Sequence, residues 1–236
     1  MFLRNGASYS NGVPAVLERE QLTLSNVQID SWLMQFEAGA FEATLRTILA
    51  KYVWRRAESI ELARSACGRL FLREDVLGRP LYLAFGCSPT FCAVIVSREP
   101  RMGVEIVNPP ETDELMPKIE DAVCAQERDL VAGLSPAARR RALLSIWTRK
   151  RALQQANALI DVTPPQAIVV GLGELPLELP ASFGWNDRWR LHAFTLRSGE
   201  LGTIAVYHHE QLLVLGAGDR RTGAKKGTFT AYERRR

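Results

Sequence analysis

Pro136 to Leu159 reads PAARRRALLSIWTRKRALQQANAL, and the reading of this stretch decides the fold. Leu143, Leu144, Ile146, Trp147 and Leu153 recur at helical spacing, with arginines and glutamines between them. Ser135 supplies an N-cap, and Pro136 falls at the first helical position, where its missing N–H is not needed. One long helix is expected over 136–159. Working outward, Asp113–Val131 is expected as a second helix, ended by Gly133 and Pro136. Before it come three strand-like runs, Leu81–Phe85, Phe91–Ser97 and Met102–Val107, with turns at Ser88-Pro89 and Glu99-Pro100. After the long helix come three more, Gln166–Val170, Arg188–Phe194 and Thr203–Tyr207. Nearer the N-terminus, Val27–Phe36 reads as a strand, while Phe41–Val53 and Ala57–Leu72 read as helices, broken at Gly78-Arg79-Pro80.

Helices grouped beside short strands point to α+β rather than alternating α/β, and short connections favour antiparallel pairing. The expected architecture is two pseudo-symmetric halves, each a small antiparallel sheet with packed helices. The boundaries read as a lead-in over 1–20, an N-terminal half over 21–110, a C-terminal half over 111–216 and a basic tail over 217–236.

At 236 residues and 47% hydrophobic content, the chain is large enough for such a pair of halves. Its mean hydropathy of −0.08 and the lack of a long apolar run exclude a membrane span by sequence. The net charge of +4 invites a nucleic-acid reading. That charge is local, however. Ala217–Arg236 holds seven basic and two acidic residues, leaving 23 basic and 24 acidic in Met1–Gly216. A near-neutral body with a solvated basic tail makes nucleic acid an unfavoured partner. The N-terminus lacks the apolar core of a signal peptide, so export is not expected. Cys67, Cys87, Cys92 and Cys124 form no CxxC pair and have no histidine at zinc spacing. Four free thiols would suit a reducing cytoplasm, with Cys87 and Cys92 read as small buried hydrophobes. His208 and His209 read as an exposed loop.

Three stretches fall in a telling order: Gly78-Arg79-Pro80, Gly103-Val104-Glu105-Ile106-Val107, and Trp147-Thr148-Arg149-Lys150-Arg151-Ala152-Leu153-Gln154-Gln155. Over roughly residues 25 to 210 the chain resembles the 4′-phosphopantetheinyl transferases of the surfactin-synthetase-activating (Sfp-like) type. Their motifs run G-[KR]-P, N-x-S-H-S, G-[IV]-D-x-E, F-x-x-x-E and W-[ST]-x-K-E-x-x-x-K. The resemblance implies coenzyme A and magnesium as cofactors and an acyl or peptidyl carrier protein as partner. It implies that a carrier serine attacks the β-phosphorus and 3′,5′-ADP leaves. A hard dication of this kind takes oxygen ligands, and a carboxylate supplies a base.

Residue by residue, Glu105 stands at the first metal acid and Val107 at the second. Glu127 keeps the acid of F-x-x-x-E, with Val123 in place of its Phe. Lys150 keeps the motif lysine, while Arg151 and Gln155 stand where Glu and Lys are expected. Arg79 and Ser88 are retained, but Ala84, Gly86 and Cys87 replace Asn, Ser and His. Arg64 is a softer match to a helix arginine that holds the nucleotide 3′-phosphate. Lys150 and Glu127 are thus the catalytic candidates, Arg64, Arg79 and Ser88 the cofactor-binding ones, and Glu105 the metal ligand.

Simpler roles stand beside these. Trp147 is expected in the core, Lys150 can snorkel to solvent, Glu105 can be a solvent-facing strand residue, and Arg151 can be one surface arginine among Arg139, Arg140, Arg141 and Arg149. The scaffold positions Gly103, Trp147 and Ala152 survive while chemical ones change. The leading expectation is a degenerate family member with weak or no transfer activity that keeps the fold and a partner surface. The alternatives are a divergent working transferase, in which Arg151 can bind the diphosphate directly, and a polyanion-binding module led by the tail.

Overall fold

A computed structural model describes residues 29–37, 39–65, 70–73, 78–109, 113–158, 163–184, 186–196, 198–207 and 225–227. The 1–20 lead-in, Cys67, His208, His209 and most of the basic tail lie outside them. The chain divides into two compact units. One comprises Met1–Leu83, Thr90–Pro100 and Glu210–Arg236; the other comprises Ala84–Pro89 and Arg101–His209. The strand around Glu105, read with the N-terminal half, therefore belongs to the second unit.

In the first unit, β1 (Ile29–Gln35) pairs antiparallel with β5 (Phe91–Ser97) along its whole length. Cys92 to Val96 are all buried, as a central strand covered on both faces should be. The first helix, α1 (Phe41–Ala50), buries Leu45, Ile48 and Leu49, one stripe of a 3.6-residue period. It ends three residues before the expected Val53; Tyr52 and Val53 are buried in the turn that follows. The helix expected over Ala57–Leu72 is absent. A 3-10 turn (Ala57–Ser59) leads instead into β2 (Ala63–Arg64) and β3 (Leu70–Leu72). Ile60 and Leu62, and again Leu70 and Leu72, lie two apart, so the residues that suggest a helix also satisfy a strand. With β4 (Leu81–Cys87) and β9 (Lys225–Gly227) the sheet runs β2-β3-β4-β5-β1-β9. The basic tail thus contributes three residues of edge strand beside β1.

In the second unit, β6 (Met102–Val107), β7 (Trp189–Thr195) and β8 (Leu201–Tyr207) form an antiparallel sheet in the order β6-β8-β7. The long helix is α4 (Pro136–Ala156), which lies on this sheet. Its contact with β6 is backbone-close: a Cβ on Gly103 would stand 2.1 Å from the Ala152 carbonyl oxygen. The single helix expected over Asp113–Val131 is instead a 3-10 turn (Asp113–Leu115), α2 (Met116–Asp121) and α3 (Ala125–Ala132). Glu127 breaks it, because its carboxylate accepts the Cys124 N–H in a capping box that starts α3. The strand expected at Gln166–Val170 is a 3-10 turn (Pro165–Ala167) followed by one bridge, Val169 to Glu178. The prolines at 164 and 165 carry no N–H for a ladder, and the Val170 N–H is taken by Glu127.

The coarse expectation of α+β with antiparallel sheets holds. No helix among the described residues is long and apolar enough to cross a membrane. The expectation of free thiols does not hold: Cys87 and Cys92 are disulfide-bonded. Cys124 is the free cysteine among the described residues, and the thiol argument for a reducing compartment loses its basis.

Candidate functional site

The residues of the last motif lie on α4, and the helix sends them in different directions. Lys150 points inward. It is fully buried, as is Glu127, and its ammonium lies 2.6 Å from Glu127 Oε2. It also donates to the Ala122 carbonyl at 2.8 Å and the Pro165 carbonyl at 3.0 Å. All three ammonium protons are engaged. Glu127 accepts the Val170 N–H on Oε1 and the Cys124 N–H on Oε2, besides the lysine. Burial lowers the Lys150 pKa, and the Glu127 carboxylate works against that shift. The expectation that Lys150 snorkels to solvent is overturned. This node ties α2, α3, α4 and the Pro165 turn together, and a phosphate has no open donor on it to reach.

Glu105 lies apart from that node. Gly103 faces Ala152 of α4, and side chains along a strand alternate, so Glu105 and Val107 face α4 as well. Val107 is buried in the core there, as is Val123. Opposite Glu105 on β8 is Thr203, whose hydroxyl lies 2.9 Å from that of Thr148 on α4. Burial pushes the Glu105 carboxyl up to about 7, and the positive charge of Arg151 pulls partly against that. Glu105 and Arg151 are both half-buried, so the pair keeps some contact with water. Arg151 also places its guanidinium 5.6 Å from the Trp147 ring centroid and donates to Gln154 Oε1 at 3.4 Å. Trp147 packs against the core as expected. Arg149, read as a surface residue, is instead 5% exposed and donates to the carbonyls of Gly171 and Gly173.

Gln155 occupies the position of the expected phosphate-facing lysine. Its Oε1 accepts the Val104 N–H at 2.6 Å, and its Nε2 donates to the Phe85 carbonyl at 2.8 Å. One amide thus joins the backbones of β6 and the end of β4. The same two segments approach closely at Gly86, where a Cβ would stand 2.5 Å from the Val104 carbonyl oxygen. The serine of N-x-S-H-S has no room at this position.

Arg64 lies exposed on β2, a strand rather than the expected helix, and Arg79 is half-buried beside Gly78, whose φ is +69°. Both belong to the first unit, and Ser88, which is buried, belongs to the second. Sequence reasoning passed over Thr203, which carries no motif signal, and read Gly86 only as a replaced motif serine, without its backbone contact. It also passed over a buried chain in the first unit. There Trp32 Nε1 donates to the Tyr52 hydroxyl, which donates to Asp30, each at 2.8 Å. An aspartate inside an otherwise strand-like run was the available signal for that chain.

A magnesium site does not fit these residues. The ion takes several oxygen ligands, usually including one or two carboxylates and substrate phosphates. Around Glu105 the positions for further acids carry Val107 and Arg151, one without a ligand atom and the other a cation. Among the described residues no cluster of three or more His, Cys, Asp or Glu side chains is placed to hold a metal. Coenzyme A fits poorly at this helix, since Lys150 is sealed and Gln155 is committed to backbone. Arg151 remains as a partly open cation. No protein-family model matches the chain, and no curated protein matches it.

Proposed function

We propose that this chain is a phosphopantetheinyl transferase-like scaffold that has given up magnesium-dependent transfer and acts by binding a partner, for which a carrier protein is the candidate its resemblance suggests. The carrying observation is Gln155. A side chain at the expected phosphate-facing position is closed onto Val104 and Phe85, with Gly86 pressed against the Val104 carbonyl. The sealed Lys150–Glu127 pair supports the same reading, since a buried charge with every hydrogen bond filled is a structural tie. The test is intact-mass measurement of apo acyl and peptidyl carrier proteins incubated with this protein, coenzyme A and magnesium. No mass gain is expected, and conversion at rates normal for the family overturns the proposal.

One observation favours a second reading, a divergent working transferase. A carboxyl with a pKa of about 7, half-open to water beside a guanidinium, has the properties of a general base next to an anion-binding cation. On that reading the same assay gives conversion, and Glu105→Gln abolishes it while leaving the fold intact by circular dichroism.

A further inference from the structure

The first unit holds a cavity of about 460 Å³ with no role in anything above. Its wall comes from three places: the turn after α1, the Ile60–Ala63 segment that enters β2, and the end of β3. Val53, Ile60 and Leu72 supply an apolar floor, each at most 5% exposed. Arg55, Arg73 and Glu61 line it as well, and all three are exposed. Among the described residues no hydrogen bond or ion pair ties either guanidinium to the chain, so both are available to a ligand. The volume lies in the range of about 300–1,000 Å³ usual for small-molecule sites, and the lining is about as polar as it is apolar.

We infer that this cavity binds a small organic monoanion with an apolar body, of the aryl or branched-chain carboxylate or sulfonate class. The apolar part lies against the small exposed edges of Val53, Ile60 and Leu72, so the acid group supplies most of the affinity. The acid group lies between Arg55 and Arg73, whose planar forks suit a carboxylate or sulfonate. Among the described lining residues, Arg55 and Arg73 against Glu61 leave a net charge of +1, which favours a monoanion over a phosphate dianion. The site belongs to the first unit, and its existence is independent of what α4 does.

The probe is 1-anilinonaphthalene-8-sulfonate, an aromatic monoanion, titrated by calorimetry and fluorescence against the full chain. Saturable one-to-one binding is expected, at least tenfold tighter than that of the uncharged N-phenyl-1-naphthylamine, and weakening as salt is raised. Arg55→Gln/Arg73→Gln is expected to weaken the sulfonate at least tenfold and to remove its salt dependence. Ala63→Trp, which fills the cavity from its half-buried wall, is expected to abolish both probes. A cooperative thermal melt for each variant keeps folding out of the comparison. Unsaturable binding, or sulfonate affinity within threefold of wild type in the double arginine variant, overturns the inference.

Discussion

At the scale of single residues, Gln155 has the most exacting environment around α4. It accepts from one backbone group and donates to another, a pairing only a primary amide of this length can make. Gln155→Lys restores the family residue and keeps a donor for the Phe85 carbonyl, but leaves the Val104 N–H without an acceptor. An unsatisfied buried backbone group costs about 1–3 kcal/mol. The variant is expected to lose about that much in a urea unfolding titration; a loss below measurement error would mean the bridge carries no weight. Gly86→Ser, also a return to the family residue, is expected to destabilise more. Its Cβ would meet the Val104 carbonyl at 2.5 Å, and both sides of that contact are backbone. Overpacking of this kind costs about 1–3 kcal/mol, more where neither side can give. The amide hydrogen-exchange rate at Val104 should rise in both variants. Neither contact is legible in the sequence. Gln155 and Gly86 lie far apart along the chain, and only the packing of α4 and of the end of β4 against β6 makes them neighbours of the same residue.

At the scale of elements, α4 was legible and its surroundings were only partly so. A proline at the first helical position and an apolar stripe predict the helix nearly to its end, because both signals are local, although the Ser135 side chain makes no cap hydrogen bond. The strands from Leu81 to Val107 and around Thr203 were legible for the same reason. The helix expected at Ala57–Leu72 failed because Ile60, Leu62, Leu70 and Leu72 satisfy a period of two as well as one near 3.6, and sheet pairing decided between them. The break between α2 and α3 was hidden because its capping box starts at Cys124 rather than at the Ser or Thr that usually marks one. In the candidate site, the charge contrast of Glu105 and Arg151 was legible only through the family resemblance, and the inward turn of Lys150 was not legible at all. Lys150→Met leaves a buried carboxylate without its counter-charge and two carbonyls without a donor, so about 3–5 kcal/mol of stability should go. Adding Glu127→Gln removes the uncompensated charge, so the double variant should be less destabilised than the two single losses added together. Purely additive losses in urea titrations would show that the two residues act independently.

At the scale of the whole molecule, the two units should answer pH differently, because among the described residues the shifted carboxyl and imidazole, Glu105 and His192, lie in the second. The Glu105 carboxyl rises from about 4.5 to about 7 on folding, so between those values the folded chain holds a proton that the unfolded chain has released. Its contribution is therefore complete below pH 4.5 and is lost as pH rises through 7, to a total of about 3 kcal/mol. Arg151 acts on it from α4. His192 on β7 works in the opposite sense. Burial lowers its pKa, so its contribution is present above the unfolded value of 6.5 and is lost as pH falls through its folded pKa. The two slopes offset each other below 6.5, which makes a raw stability curve misleading there. The difference between wild type and Glu105→Gln isolates the carboxyl, because His192 is common to both. Glutamine keeps the neutral form at every pH, so it should match wild type at pH 5 within about 1 kcal/mol and exceed it at pH 8 by up to about 3 kcal/mol. In the first unit, burial and Asp30 raise the Tyr52 hydroxyl well above its ordinary value of 10, so it does not titrate in this range. A melt with two resolved transitions should show the Glu105→Gln effect in one of them alone. An equal shift in both transitions, or a wild-type to variant difference that is the same at pH 5 and pH 8, would show that the Glu105 carboxyl is not the group that couples the second unit to pH.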